Sequence, residues 1–347
     1  MSISILSNGV VCFRFELAQG CQVLFDRLQS FLNPCFTSVP LNGSEPDLTI
    51  VLRDIRAFDT SQMQRCVQPF QIRLSRAPGF TLNVQVGEDE VGRRLAWDGD
   101  TGVGYRIDAP AHSIEFYAGE GGFIHLIELV RYYGLRVEQS RGTCVLHASA
   151  VVDVHTGLVT AIAGLKGAGK TTAMFALVEK GVNHYFSGDK LLLDVYGDGV
   201  RARAWPDFPY IGVGTLRSYP RFAERFGLEN VLADAALDPR RKFLVDPAIF
   251  HRTVPIAPAA EGPLAAVLLP DVDYAGTARM SLLNATEILE VLAVPGIFEW
   301  PHEFCVATWH GIEPADALAS TEASALLLER LARLPWKRRD GKLEKQR

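Results

Sequence analysis

Residues 158–181 read LVTAIAGLKGAGKTTAMFALVEKG, and this stretch decides the fold that the sequence predicts. It begins with an apolar run typical of a strand and continues through a glycine-rich loop. It ends in a helical segment that is followed by a glycine. The loop fits the pattern G-x-x-x-x-G-K-[ST] in every fixed position. A strand that leads through such a loop into a helix indicates an α/β fold with a site for phosphate groups.

The chemistry of this loop follows from its backbone. Gly164, Gly167 and Gly169 allow the chain to curl with its N–H groups pointing inward, and the helix start adds a partial positive charge. In such a site Lys170 would reach the β- and γ-phosphates, and the Thr171 hydroxyl would bind Mg²⁺. The predicted nucleotide-binding residues are Gly164, Leu165, Lys166, Gly167, Ala168, Gly169, Lys170, Thr171 and Thr172.

Composition narrows the class of protein. The chain has 347 residues, of which 48% are hydrophobic and 22% charged, so it has enough apolar material for about two domains with full cores. Its net charge of −5 indicates no general affinity for nucleic acid or membranes, and residues 333–347 are predicted to form a solvated basic tail. No apolar run is long enough to cross a bilayer, and the N-terminus lacks the pattern of a signal peptide. We therefore expect a cytoplasmic protein.

The cysteines agree with that location. None of them forms a Cys-x-x-Cys pair, and most lie in apolar surroundings, so we expect buried reduced thiols and no zinc site. The six cysteines are Cys12, Cys21, Cys35, Cys66, Cys144 and Cys305.

Short strand-like runs separated by turn residues dominate the first hundred residues. Their alternation of apolar and polar residues predicts half-exposed antiparallel strands. The runs are residues 9–16, 47–52, 80–86 and 94–97. Helical spacing predicts helices over residues 22–32 and 122–139. We expect an N-terminal α+β lobe in residues 1–120, a second domain in residues 121–320, and a C-terminal helix with the basic tail in residues 321–347.

In the second part the pattern alternates between strands and helices. The run CVLHASAVV at residues 144–152 predicts a strand, and residues 184–199 predict a strand, a turn and a second strand. Residues 264–269 are apolar without interruption, which is typical of a strand buried on both faces. Residues 321–334 predict a helix with an apolar face.

An acidic partner for the loop follows the first helix. Asp189, at the head of the strand LLLDV, is a candidate to hold Mg²⁺ or to take the proton of an acceptor hydroxyl. Asp194 at the end of the same apolar triplet is the alternative acid. His147, in the strand-like run before the loop, is by its residue type alone more typical of a packed strand residue.

Three elements in this order resemble the catalytic domain of HPr kinase/phosphorylase and, more closely, its diverged HPr-kinase-like relatives. They are LHASAVV with His147, GLKGAGKTT, and GVNHYFSGDKLLLDV with Asp189. The resemblance covers residues 141–196 and extends more weakly toward residue 310. It implies a P-loop kinase core related to phosphoenolpyruvate carboxykinase, with an N-terminal lobe added. It also implies the use of ATP and Mg²⁺, phosphoryl transfer to a hydroxyl, and catalytic roles for Asp189, His147 and Lys170.

The sequence departs from that family at two acidic positions. Gly188 replaces the first acid of the family's Asp-Asp pair, and Thr172 replaces the glutamate after the loop. Both the reverse phosphorylase reaction and HPr as the acceptor are therefore left open. The resemblance instead suggests a serine, peptide or small-molecule hydroxyl as acceptor. HPr kinases are hexameric, which leaves a homo-oligomer possible here.

Basic residues supply weaker candidates. Arg240, Arg241 and Lys242 form a compact cluster that would clamp a phosphate or an acidic acceptor. Arg201 and Arg203 alternate on a predicted strand and are candidates for the edge of the nucleotide or acceptor pocket.

Two other functions compete with a kinase. Asp194 and Gly197 fit the Asp-x-x-Gly element of a regulatory GTPase or ATPase, but the chain has no Asn-Lys dipeptide with which to recognise guanine. A nucleotide-sensing module without catalysis would explain the two missing acids.

Overall fold

The structure, a computed structural model, describes residues 2–40, 45–73, 80–271, 279–299, 309–314 and 321–340. The chain forms two compact units, the first made of residues 1–141 with 304–317 and the second of residues 142–303 with 318–347. Each unit is built on a large mixed sheet, so the predicted α/β class is confirmed. Within the described ranges, no helix is both long and apolar enough to span a bilayer. Cys305 and residues 341–347 lie outside the described residues. The prediction of a solvated tail over residues 333–347 is wrong at Trp336–Asp340, which form a strand of the sheet with Trp336 fully buried.

A nine-stranded sheet forms the first unit. Its strands are β1 (Ser2–Ser7), β2 (Cys12–Leu17), β3 (Thr37–Ser38), β4 (Leu48–Asp54), β5 (Gln68–Arg73), β6 (Leu82–Glu88), β7 (Arg94–Asp98), β8 (Val103–Asp108) and β9 (Ser113–Ala118). Their order in the sheet is β3-β1-β2-β4-β9-β8-β7-β6-β5. The predicted alternation is confirmed in β2, where Phe13 and Phe15 are buried and the residues between and after them are half-buried.

The expectation that these strands are antiparallel is wrong in the middle of the sheet. β2 runs antiparallel to β1 but parallel to β4, and β4 runs parallel to β9. Helix α1 (Gln22–Leu32), which has the predicted bounds, connects β2 to β4. Parallel neighbours need a crossover connection of this kind, whereas a tight hairpin can only join antiparallel strands.

The helix predicted at residues 122–139 is present as α2 (Phe123–Ser140), and it belongs to the first unit. Its His125 is hydrogen-bonded to Asp98 of β7, and the Tyr133 hydroxyl donates to the carbonyl of Asp47. Tyr133 also packs edge-on against Phe13 of β2. Because these contacts bind α2 to the nine-stranded sheet, the first unit extends to residue 141 rather than ending near residue 120.

The second unit is built on a ten-stranded sheet. Its strands are β10 (Cys144–Leu146), β11 (Ala148–Asp153), β12 (Val159–Ala163), β13 (Asn183–Ser187), β14 (Leu191–Tyr196), β15 (Gly199–Ala204), β18 (Glu261–Asp271), β19 (Arg279–Leu282), β20 (Phe298–Glu299) and β21 (Trp336–Asp340). The order is β13-β11-β12-β18-β15-β14-β10-β20, and β21 pairs with β18 and also with β19. A separate hairpin is formed by β16 (Tyr210–Gly212) and β17 (Lys242–Leu244). The long strand β18 joins both halves of the large sheet, since its start pairs with β15 and its later part with β12.

Helices of the second unit surround this sheet. They are α3 (Lys170–Glu179), α4 (Val213–Ser218), α5 (Pro220–Arg225), α6 (Glu229–Ala233), α7 (Pro247–Thr253), α8 (Ala285–Leu292) and α9 (Thr321–Arg333). The predicted helices at α3 and α9 are confirmed, and Gly181 has the positive φ of +82° that stops α3. Phe175 of α3 packs against Phe222 of α5 with ring centroids 4.8 Å apart. This aromatic core holds the start of α3 in place.

Candidate functional site

The glycine-rich loop lies between β12 and α3, as the sequence predicts. β12 ends at Ala163 and α3 begins at Lys170. Gly167 and Gly169 have φ values of +94° and +92°, a conformation that side-chain-bearing residues rarely adopt. These two positions therefore require glycine, and they turn the chain back onto the start of the helix.

Lys170 is the buried cation of this loop. Its residue is only 8% exposed, and its Nζ donates to the carbonyls of Gly164 at 2.8 Å and Leu165 at 3.4 Å. Burial lowers the pKa of Lys170 to about 8, Asp189 acts to raise it, and the charge of Lys242 lowers it further. The ammonium is thus held inside the loop by two backbone carbonyls, and the charges of Asp189 and Lys242 act on it.

The two threonines after Lys170 have different surroundings. Thr171 is half-buried at the first turn of α3, where the sequence places a ligand for Mg²⁺. Thr172 is buried, and its hydroxyl is 2.7 Å from the Thr215 hydroxyl of α4. Thr172 therefore connects two helices through a buried hydrogen bond.

His147 and Asp189 lie close together because the connections that carry them are adjacent in the sheet. β10 pairs with β14 and β11 pairs with β13, both antiparallel, so the β10–β11 connection faces the β13–β14 turn. Leu146 and Leu191, the last paired residues of β10 and β14, directly flank these two connections. His147 lies in one connection and Asp189 in the other, with His147 Nε2 3.1 Å from Asp189 Oδ1. The strand predicted at residues 144–152 is therefore two strands, divided at the histidine.

The segment before β20 holds His147 from the other side. The backbone N–H of His147 donates to the carbonyl of Ile297 at 2.8 Å, and Nδ1 lies 3.1 Å from the carbonyl oxygen of Gly296. Both ring nitrogens thus face acceptors, a carbonyl on one side and the Asp189 carboxylate on the other. His147 thereby connects the Asp189 carboxylate to the segment before β20.

Asp189 is an ionised carboxylate in this setting. Burial acts to raise its pKa, but the hydrogen bond from His147 and the charges of His147, Lys170 and Lys190 hold the pKa well below its ordinary value. Its side chain is nevertheless 56% exposed, so the carboxylate is accessible. An accessible anion beside a buried lysine suits the binding of a metal ion or of a polar hydroxyl.

Hydrogen bonds fix the turn that carries Asp189. The Ser149 hydroxyl donates to the carbonyl of Gly188 at 2.5 Å, and the Ser187 hydroxyl donates to the carbonyl of Lys190 at 2.6 Å. A Cβ at position 188 would lie 2.9 Å from Tyr185 Oη and 3.4 Å from Asp207 Oδ2. Atoms of Tyr185 and Asp207 therefore occupy the space that a larger side chain at position 188 would need.

Lys190 and Glu299 form an ion pair next to Asp189 that the sequence did not indicate. Lys190 Nζ lies 2.8 Å from both carboxylate oxygens of Glu299 on β20. More than a hundred residues separate the two in the chain, and nothing in the local pattern at either position signals the pairing. The contact ties the site to the edge strand β20, which directly follows the residues that bind His147.

Asp194, the alternative acid, is paired with two arginines. Its carboxylate lies 2.8 Å from Arg203 Nε and accepts from the Thr143 hydroxyl at 3.0 Å, and Arg201 pairs with it at 3.4 Å. Arg203 is 4% exposed. The structure thus brings both arginines to Asp194 along β14 and β15, because Asp194 and Arg201 are cross-strand partners. These three residues form an internal ion cluster, and the expectation that the arginines edge a pocket does not match it.

The cationic cluster at residues 240–242 divides into two parts. The Arg241 guanidinium carbon lies 5.3 Å from the centroid of the Phe243 ring, and Arg240 is exposed, with its backbone N–H bonded to Asp238. Lys242, in contrast, lies close enough to Lys170 for its charge to act on the pKa of that residue. Of the three, Lys242 is therefore linked to the loop by the effect of its charge on Lys170.

Comparison with known proteins adds no further assignment. No known protein family matches the chain, and no curated protein matches it. The function therefore has to be argued from the geometry of the site.

Proposed function

We propose that the chain is a kinase that uses ATP and Mg²⁺ to transfer the γ-phosphoryl group to a hydroxyl of a peptide, a protein serine or a small molecule. The observation that carries this proposal is the convergence of Lys170, Asp189 and His147 at the end of a glycine loop that opens a helix. Phosphoryl transfer needs mainly positioning and charge from the protein, and these groups supply both. The P-loop core that the sequence resemblance implies is part of the proposal.

The oxygen atoms of the site fit Mg²⁺. Among the residues that the structure describes, no group of three or more His, Cys, Asp or Glu side chains comes together. Mg²⁺ binds proteins through one or two oxygen ligands and completes its shell with phosphate oxygens and water, so the Thr171 hydroxyl and the Asp189 carboxylate are a sufficient set. When bound, the metal ion neutralises charge on the β- and γ-phosphate oxygens.

The chain's own residues perform the remaining steps. Lys170 binds the β- and γ-phosphate oxygens, and Asp189 orients the acceptor hydroxyl. The acceptor oxygen forms a bond to the γ-phosphorus while the bond from that phosphorus to the β–γ bridging oxygen breaks, and ADP leaves with that bridging oxygen. The hydroxyl proton passes to Asp189 as the new bond forms, because the oxygen becomes strongly acidic at that stage. His147 holds Asp189 in place through the ion pair at 3.1 Å.

Transfer of label from γ-labelled ATP tests this proposal. The protein is incubated with Mg²⁺, labelled ATP and hydroxyl-bearing candidates, including the products of neighbouring genes, and the labelled product is identified. Lys170→Met should abolish transfer, and the matched control Lys180→Met, at the exposed end of α3, should retain it. Full activity of the Lys170 variant with a folded chain would overturn the assignment.

A nucleotide-sensing ATPase or GTPase without kinase activity is the second candidate. HPr kinases, which the sequence resembles, have acids at two positions where this chain has Thr172 and Gly188. The absence of these acids favours a function without phosphoryl transfer, since Thr172 is hydrogen-bonded to Thr215 and the space at Gly188 is filled. The same experiment separates the two functions. Release of label only as inorganic phosphate, with no labelled acceptor, supports the second candidate, and strict selectivity for GTP would identify a GTPase.

The thiols support a reducing compartment. All five cysteines in the described part of the chain are free, and burial raises the pKa of Cys144 to about 12. Thiols that remain reduced and an ATP-dependent reaction are both typical of the cytoplasm, where we propose that this enzyme works.

A further inference from the structure

The ion pair between Lys190 and Glu299 has a geometry that fixes the lysine. Lys190 Nζ lies 2.8 Å from Oε1 and 2.8 Å from Oε2 of Glu299, so one ammonium meets both oxygens of one carboxylate. The two side chains are only 24% and 27% exposed. Because charge-assisted hydrogen bonds are stronger than neutral ones, this half-buried contact holds the Lys190 ammonium at one position.

The register of three strands explains why residues so far apart in the chain meet. Leu191 of β14 pairs with Leu146 of β10, and Leu146 pairs with Phe298 of β20, so these residues form one row across the sheet. Lys190 lies just before this row and Glu299 just after it. Neighbouring strands are about 5 Å apart, so a contact that passes over β10 needs two long side chains such as these.

One short segment, residues 296–299, binds both neighbours of Asp189. Its backbone carbonyls accept from the N–H of His147 at 2.8 Å and lie 3.1 Å from Nδ1 of the same residue, and its Glu299 side chain binds Lys190. His147 Nε2 in turn lies 3.1 Å from Asp189 Oδ1. In the described part of the chain, no ion pair joins Lys190 to Asp189. The segment therefore brings His147 to the carboxylate and keeps the Lys190 ammonium on Glu299.

The position of Lys190 matters because it directly follows Asp189 in the chain. The Asp189 side chain is 56% exposed, and the charge of Lys190 already acts to lower its pKa. A lysine stem is flexible and its ammonium has three donors, so an ammonium released from Glu299 would be attracted to this accessible carboxylate. That contact would put a cation where the proposed function needs a metal ion.

We infer that Glu299 is a positioning residue, which holds the Lys190 ammonium at the edge strand and so keeps the Asp189 carboxylate accessible to Mg²⁺ and to the acceptor hydroxyl. The inference rests on the proposed function and adds to it a residue that acts only through another. Without Glu299, Lys190 competes with Mg²⁺ for Asp189, and binding of the Mg²⁺ complex of ATP weakens. Metal-free ATP is not weakened, because an Asp189 paired with Lys190 repels the phosphates less.

Calorimetric titration of the full chain with ATP, once with excess Mg²⁺ and once with EDTA, tests the inference. Glu299→Gln should weaken binding about fivefold with Mg²⁺ and leave binding in EDTA unchanged or stronger. The double variant Lys190→Gln with Glu299→Gln has no ammonium to compete, so its affinity with Mg²⁺ should return to within about twofold of the wild type. The matched control Glu290→Gln, at an exposed position of α8, should bind like the wild type in both titrations.

The outcomes separate this inference from the function on which it rests. Wild-type binding by Glu299→Gln in both titrations would overturn the inference alone. So would a loss that the double variant does not recover, or an equal loss with and without Mg²⁺, since either would show that the pair only supports the fold. If the wild-type protein does not bind ATP at all, the proposed function fails, and the inference with it.

Thermal melts of the variants show whether each is folded at the temperature of the titration. Glu299→Asp provides a second test that keeps the charge. Its side chain is one methylene shorter and reaches Lys190 less well, so we expect a smaller loss of affinity with Mg²⁺ in the same direction. A loss larger than that of Glu299→Gln would contradict the inference.

Discussion

Each unit of the chain contains a histidine–aspartate pair, and the two pairs differ in their third partner. In the first unit, His125 Nε2 lies 2.8 Å from Asp98 Oδ2, and both residues are buried. The Tyr105 hydroxyl lies 2.8 Å from Nδ1, and burial holds the pKa of that tyrosine well above its ordinary value, so the hydroxyl keeps its proton. The Thr101 hydroxyl lies 3.1 Å from Nε2, so hydroxyl groups and the Asp98 carboxylate enclose the buried His125 ring.

In the second unit, His147 faces two acceptors. The Gly296 carbonyl and the Asp189 carboxylate lie on its two ring nitrogens, and the His147 side chain is 26% exposed. This pair is partly accessible to solvent, and the charge of its Asp189 acts on the pKa of the buried Lys170. The comparison shows that the residue pair alone does not define its role. The third hydrogen-bond partner and the access of solvent distinguish a buried structural contact from a group that is suited to chemistry.

The largest effect is expected from Asp189→Asn. The amide keeps the size of the side chain but cannot accept a proton or hold Mg²⁺ as well as a carboxylate, so we expect phosphoryl transfer to fall about 10³-fold. Because the aspartate is accessible, the free energy of unfolding should change by about 1 kcal/mol or less. Label transfer and urea denaturation measure the two effects. Transfer at the wild-type rate would remove Asp189 from the site.

Asp98→Asn should have the opposite effect, a loss of stability without a loss of phosphoryl transfer. The change removes a buried carboxylate that is hydrogen-bonded to His125, so we expect the free energy of unfolding to fall by about 2 kcal/mol. Transfer activity per folded molecule should remain that of the wild type. Urea denaturation and an activity assay below the transition check both expectations. A loss of activity without a loss of stability would reverse the roles that we assign to the two pairs.

Lys170 should make nucleotide binding depend on pH. Its pKa of about 8 means that the ammonium, the form that binds phosphate, is lost above that pH. We expect ATP affinity to fall about tenfold between pH 7 and pH 9, as one deprotonation predicts. Lys170→Arg keeps its charge over this range, so its affinity, even if weaker, should be flat. A flat profile for the wild type would contradict the lowered pKa.

The stability of the two units should also depend on pH, each in a different pH range. The pKa of Lys170 is lowered from 10.5 to about 8, so the unfolded chain binds more protons between these values, and stability should rise with pH there. The pKa of Asp98 lies below 3.8 despite its burial, because His125 and Thr101 donate to the carboxylate. That contribution is present above pH 3.8 and is lost as the pH falls further. Denaturation is measured as a function of pH. Lys170→Met should lose the rise in stability between pH 8 and pH 10.5, and Asp98→Asn should lose the fall in stability below pH 3.8.

The smallest effect is expected from Thr172→Val. The change leaves the Thr215 hydroxyl buried without its partner 2.7 Å away, so the free energy of unfolding should fall by about 1 kcal/mol. In the double variant with Thr215→Val both hydroxyls are gone, and much of that loss should be recovered. A double-mutant cycle in urea measures the coupling. Additive losses would show that the two hydroxyls do not act as a pair.

The elements that the sequence predicts correctly are those that depend on residues close together in the chain. Helix α1 has the predicted bounds, and the glycine loop lies between a strand and a helix with Gly181 at the helix end. These features follow from the 3.6-residue period and from backbone angles that only glycine adopts readily. Lys170, His147 and Asp189 were also named as site residues from the sequence, the histidine only through the family resemblance, and their roles in catalysis stay predictions.

The tertiary structure decided which of these residues meet and which do not. It pairs β2 with β4 in parallel and gives α2 to the first unit. It also engages Asp194 with two arginines and brings Gly296 to His147. Each of these outcomes depends on contacts between segments far apart in the chain. Local pattern and propensity contain no information about such contacts, because sheet pairing and burial are properties of the whole fold.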